Sequence, residues 1–203
     1  MLTALTAGLA GLVLGLRHAL EPDHLAAVST MVAERPGARR GLRLGAAWGL
    51  GHTLALLAVG ATLALLQVSL PPRVADAFEL GVAVMLIVLG ARAVLVRKRA
   101  VTRPLRPARV ERRSLVVGLV HGLAGSGALT ALVMATLPTT AQRLGYIALF
   151  GLGSVVGMAL LSSLAGWPLE RLQGRLGWLS AAAGLVAAGV GVAWGWPILV
   201  RLV

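Results

Sequence analysis

Arg17-His18-Ala19-Leu20-Glu21-Pro22-Asp23-His24 interrupts an apolar run that otherwise extends from about residue 2 to residue 33. Imidazoles and carboxylates are costly in hydrocarbon, so an ionisable cluster at membrane depth defaults to a substrate or ion site. Neutral imidazole with carboxylate is also a donor set for divalent transition metals. Pro22 lacks the N–H that would bond to the His18 carbonyl, and its ring collides with that carbonyl, so the helix is predicted to kink or unwind here. On a regular helix His18, Asp23 and His24 would diverge by about 100° to 140°. A break lets them turn inward and is expected to free a backbone carbonyl beside them.

The rest of the chain makes the membrane setting plain. Hydrophobic residues are 58% of the sequence and charged residues 13%, with a mean hydropathy of +0.86. Apolar stretches of about 20 residues place six spans, near 2–33, 42–66, 75–96, 114–137, 142–166 and 177–200. No basic residue precedes the first apolar run, and the chain continues from it into the polar motif. It therefore reads as a mature transmembrane helix and not as a signal peptide. The absence of cysteine removes disulfides, thiolate metal sites and thiol redox chemistry, leaving nitrogen and oxygen as metal donors.

A net charge of +12 would suggest nucleic acid in a soluble protein. Here its placement argues otherwise. Arg35, Arg39, Arg40 and Arg43 follow span one, a dense basic run from Arg92 to Arg113 joins spans three and four, and Arg171 and Arg175 lie between five and six. These are alternate connections, so one side of the membrane receives them all, and the positive-inside rule makes it cytoplasmic. Both termini then face outward, toward the side that carries Arg73, Arg143 and Arg201. Topology and attraction to anionic lipid account for the charge without a nucleic-acid partner.

The stretch 97–113, with Pro104, Pro107 and alternating arginines, reads as a basic cytoplasmic linker between two three-span units, 1–96 and 114–203. Gly15-Leu16-Arg17-His18 aligns with Gly118-Leu119-Val120-His121, and Trp48-Gly49-Leu50-Gly51-His52 with Phe150-Gly151-Leu152-Gly153-Ser154. Leu89-Gly90 similarly aligns with Val190-Gly191, at an offset that stays near one hundred residues. An odd number of spans per unit inserts the copies in opposite orientations, the inverted-repeat plan of secondary transporters.

His52 lies on span two among Gly45, Gly49 and Gly51, which allow a neighbouring helix to approach closely. The second unit carries His121 with Gly122, Gly125, Ser126, Gly127 and Thr130. So many glycines predict a discontinuous helix in span four as well, and paired broken helices point to a transport site near the bilayer midplane. Ser126 and Thr130 would satisfy freed backbone groups or offer oxygen to an ion, although close packing through small residues explains them equally well. The expected fold is therefore an all-α polytopic membrane protein, with six transmembrane helices in two inverted three-helix repeats whose first helices are broken.

Arg17-His18 through Asp23-His24 resembles the histidine, four-residue spacer, aspartate-histidine signature of the nickel/cobalt transporter family, and Leu50-Gly51-His52-Thr53 resembles its second-helix motif. The run from His121 to Leu129 is similar to that of the family's short, urease-accessory-type branch. The resemblance implies a carrier for Ni²⁺ or Co²⁺ with His18, Asp23, His24 and His52 as metal residues. The family's main importers look longer, and they carry acidic residues where this motif has Glu21-Pro22.

Imidazole and carboxylate suit several divalent metals and do not select one. The lack of thiols and of a methionine cluster argues against Cu(I), and the lack of histidine-rich loops favours uptake over efflux. The metal is expected as transported substrate, with no cofactor. Glu21 is placed to accept a proton during coupling, and Arg17 to balance carboxylates or reach an interface. No nucleotide-binding or His-Glu-x-x-His motif is present, so an enzyme is not expected. The alternatives are a carrier for a small anion, using Arg17 and helix N-termini, and a non-transporting accessory subunit. A homo-oligomer or an energising subunit is compatible with the sequence.

Overall fold

A computed structural model describes residues 2–34, 36–96, 107–172 and 176–203. They form seven helices: α1 (Leu2–His18), α2 (Pro22–Glu34), α3 (Ala38–Leu66), α4 (Pro72–Val96), α5 (Pro107–Thr136), α6 (Thr140–Arg171) and α7 (Leu176–Leu202). Span one is two helices, divided where Pro22 falls. Four helical stretches are long and apolar enough to cross a membrane: Ala38–Leu66, Pro72–Leu95, Thr140–Arg171 and Gly177–Leu202. Leucines, valines and tryptophans such as Leu65, Leu95, Leu164, Trp178 and Trp196 are exposed on the bundle's outside, as lipid contact requires.

The break expected in span four is absent. α5 runs as one helix through Gly122, Gly125 and Gly127. Glycine weakens a helix by about 1 kcal/mol, but unlike proline it keeps its N–H, and hydrocarbon offers no water to replace a lost backbone bond. The side chains of Ser126 and Thr130 lie outside the described residues. α5 also starts at Pro107, so the last part of the expected 97–113 linker is its first turns, and residues 97–106 lie outside the description.

Glycine serves packing instead. α3 and α6 lie together at the centre, α5 against α3, α1 against α6, and α4 against α7, while α2 leaves α1 at the break to pack on α7. A Cβ on Gly118 of α5 would overlap the Trp48 carbonyl of α3, and one on Gly15 of α1 the Phe150 carbonyl of α6. Main chain therefore meets main chain at both crossings. At one end of the bundle Glu34 pairs with Arg113 at 2.9 Å and Arg92 at 3.6 Å, joining α2, α4 and α5. At the other, Arg201 pairs with Asp76 at 2.8 Å, joining α7 to α4.

Gly118→Val is expected to destabilise the purified protein by about 1–3 kcal/mol or to prevent its folding. Gly81→Ala, where a Cβ meets nothing within 4 Å, should change stability by no more than about 1 kcal/mol. Thermal unfolding of the two variants in the same detergent checks the contrast.

Candidate metal centre

The centre forms where α1 stops. The Leu20 N–H bonds to the Arg17 carbonyl at 2.9 Å and the Glu21 N–H to the His18 carbonyl at 3.1 Å, closing a tight turn. Pro22 then opens α2, a position where a missing N–H costs nothing. The His18 carbonyl, which Pro22 cannot serve, is thus taken by Glu21. The break does reorient the side chains: His18 is delivered by the end of α1, and Asp23 and His24 by the first turn of α2.

His18, Asp23, His24, His52 and His121 come together, so the four residues singled out in the first two spans converge and His121 of α5 joins them. His18 Nε2 lies 3.2 Å from His52 Nε2. Two nitrogens bound to one metal at ~2.0–2.1 Å stand roughly 2.9–3.4 Å apart for angles between square and tetrahedral, so this spacing matches one edge of a coordination polyhedron. Ligand atoms of His18, His24 and His52 all lie within 4.8 Å of one another, and the same holds for Asp23, His24 and His121.

Asp23 sits between two imidazoles. Its Oδ1 accepts from the backbone N–H of His24 at 2.8 Å and faces His24 Nδ1 at 2.9 Å, while Oδ2 faces His121 Nε2 at 3.0 Å. Glu21, whose side chain is 53% exposed, faces His18 Nδ1 at 3.0 Å. His24, His52 and His121 are buried at 1%, 0% and 2% exposure. Yet His24 Nε2, His52 Nδ1 and His121 Nδ1 have no hydrogen-bond partner among the described residues. Buried polar atoms are normally satisfied, and each exception calls for a reason; imidazole nitrogens grouped in this way have the chemistry of metal donors.

Sequence reasoning passed over several residues here. The Trp48 ring stands 5.4 Å from that of His24 and 5.7 Å from that of His121, and Phe150 lies 5.2 Å from His18. Both aromatics are buried, and they flank the imidazoles from α3 and α6. The aligned Trp48-Gly49 and Phe150-Gly151 pairs were the available signal. Glu79 of α4 lines the same cavity of about 680 Å³, together with Tyr146 and Trp194. Its only mark in the sequence is an acidic residue inside an apolar span. Arg17 also lines this cavity, beside Glu21.

A buried imidazole–carboxylate centre inside a bundle of apolar helices defines a multi-pass membrane protein built around a polar, metal-type site. The chain belongs to the NicO family, described as high-affinity nickel-transport protein, whose model matches residues 4–191. That is a family of transporters and not of enzymes. The chain is 35% identical over 173 residues to the urease accessory protein UreH of Bacillus sp. (strain TB-90), covering 78% of this chain and 75% of that protein. It is 26% identical over 211 residues to the chloroplast protein FOR GROWTH AND FERTILITY 2 of Arabidopsis thaliana, covering 93% of this chain and 56% of that one. No solved structure matches it.

His52→Ala should weaken Co²⁺ binding by more than the roughly 10–100-fold that follows from losing a group behind a ligand. Titration of the purified protein, followed by the visible absorption of bound Co²⁺, measures it.

Proposed function

We propose that this chain is a secondary carrier that brings a divalent transition-metal cation, Ni²⁺ or Co²⁺, across the cytoplasmic membrane into the cell. The observation that carries this reading is the convergence of His18, Asp23, His24 and His52, with His121, around buried and unpartnered imidazole nitrogens. An anion would meet two carboxylates there, which argues against the small-anion alternative. The family supports nickel as cargo, and the donor set accepts cobalt equally.

Alternating access requires two units that move against each other, and the glycine contacts support an inverted repeat. Gly15 meets the Phe150 carbonyl and Ser154 nitrogen as Gly118 meets those of Trp48 and His52. Gly153 meets Leu12 and Leu16 as Gly51 meets Leu115 and Leu119, and Gly90 meets Gly184 and Ala188 as Gly191 meets Ala83 and Ile87. Each pair is related by the same offset of near one hundred residues that aligns the sequence. His18 and His121 are equivalent under it, so corresponding positions of the two units face one site, as in transporters of this plan.

The cavity supports entry from outside. Glu79, Tyr146 and Trp194, which line it, lie in the parts of α4, α6 and α7 nearer the Asp76–Arg201 pair. The positive-inside rule puts that end outside, together with both termini. On the opposite, arginine-rich side, the pairs of Glu34 with Arg92 and Arg113 tie α2 to α4 and α5. A hydrated cation would exchange waters for protein donors at the centre and leave inward as the units rock. Metal and proton compete for the same imidazole lone pairs, and Glu21, partly exposed and facing His18 Nδ1, is placed to receive the displaced proton. A homo-oligomer or an energising subunit is compatible with this cycle.

Proteoliposomes containing the purified chain, under an imposed pH gradient, should take up Ni²⁺ or Co²⁺ saturably. His18→Ala, Asp23→Asn and His24→Ala should each reduce that flux at least tenfold. Normal flux in all three folded variants would remove the centre from transport.

A further inference from the structure

The two carboxylates of the centre are already spoken for. A carboxylate only accepts hydrogen bonds, so any ring nitrogen that faces one at bonding distance carries the proton. The tautomers of three histidines follow from this. His18 is protonated on Nδ1 by its contact with Glu21, His24 on Nδ1 and His121 on Nε2 by their contacts with the two oxygens of Asp23. The opposite nitrogens are then bare in the neutral rings: His18 Nε2, His24 Nε2 and His121 Nδ1. Two of these, His24 Nε2 and His121 Nδ1, are buried atoms without a partner. The third faces His52 Nε2 at 3.2 Å.

We propose that Asp23 and Glu21 do not bind the cation but stand one hydrogen bond behind it, each fixing a histidine so that imidazole nitrogens alone, from His18, His24 and His52, hold the ion. The inference rests on the metal-carrier reading above and sorts its residues into those that touch the cargo and those that position them. Asp23 would have to surrender the His24 backbone N–H, the His24 ring and the His121 ring to turn its oxygens to a metal. The imidazoles surrender only the contact between His18 and His52, in which His52 Nε2 is the donor to the bare His18 Nε2, and the His52 proton then passes to its own unpartnered Nδ1. A carboxylate behind an imidazole raises the basicity of the liganding nitrogen and fixes the ring's orientation. The Asp23 carboxylate also offsets charge of the cation, without replacing an imidazole nitrogen by oxygen.

His121 receives a further consequence. It shares Asp23 with His24, so one carboxylate holds a ring from α2 and a ring from α5 at once. With Nε2 bonded to Asp23, the buried Nδ1 is the nitrogen that His121 has left unpartnered.

The test uses the full chain in lipid nanodiscs with Ni²⁺ as probe. X-ray absorption of the loaded wild type counts imidazoles, and infrared difference spectra of ¹³C-aspartate-labelled protein report whether the Asp23 carboxylate bonds the metal. The proposal expects three or more imidazoles and aspartate bands that stay those of a hydrogen-bonded carboxylate. Aspartate bands shifted to a metal-bound pattern would overturn it while leaving the carrier reading intact. Absence of Ni²⁺ binding by the wild type in equilibrium dialysis would overturn the carrier reading itself. Among variants, Glu21→Ala should weaken binding by about 10–100-fold, and Glu21→Gln, which still accepts the His18 N–H, should recover much of the loss. If Gln were no better than Ala, orientation by Glu21 would be refuted, and because this side chain is half exposed the pair does not depend on a tolerant core.

Discussion

Asp23 is a carboxylate placed where insertion of an aspartate into a helix costs about 3 kcal/mol, and the arrangement around it exists to make that placement tolerable. Its oxygens collect a backbone N–H and two ring N–H groups. Those bonds require that the chain stop being a helix just before it, that His24 follow it immediately, and that α5 come close enough to deliver His121. The first condition is met by Pro22, the second by sequence adjacency, and the third by Gly118 and Gly122, whose missing side chains let α5 sit on the main chain of α3. Remove any one of them and the buried charge loses a partner that hydrocarbon cannot replace.

Much of this was legible in the sequence because proline has few interpretations inside an apolar run. The helix break, the membrane setting and the clustering of His18, Asp23 and His24 follow from residues whose cost in hydrocarbon is high, while the place of His52 beside them was what the family resemblance implied. Glycine is different. It permits either a break or a close approach, and near His121 the sequence alone favours the break that α5 does not have. The structure chooses packing, because a glycine helix that touches another main chain keeps all its hydrogen bonds and gains contact besides. His121 was visible as a histidine aligned with His18, but its bond to Asp23 needed the three-dimensional crossing of α2 and α5.

The arginines teach a related lesson. Counted by loops, Arg92 and Arg113 only report sidedness. In the fold both converge on Glu34, so that the same residues set orientation and tie α2 to α4 and α5. Glu79 and Trp48 were faint for the opposite reason: each is a single residue in a span whose average character masks it, and each acquires its meaning from the cavity or ring beside it.

The backbone-to-backbone crossings carry a consequence for how this chain can vary in inheritance. Any base change that replaces a glycine by another amino acid adds at least one carbon, and at Gly15, Gly51, Gly118 and Gly153 that carbon lands on a neighbour's carbonyl. Compensation cannot come from trimming a facing side chain, because the obstacle is main chain, which no substitution removes. Lineages carrying this fold therefore have almost no neutral paths through these positions, whereas the exposed leucines and valines outside can drift among apolar types without loss.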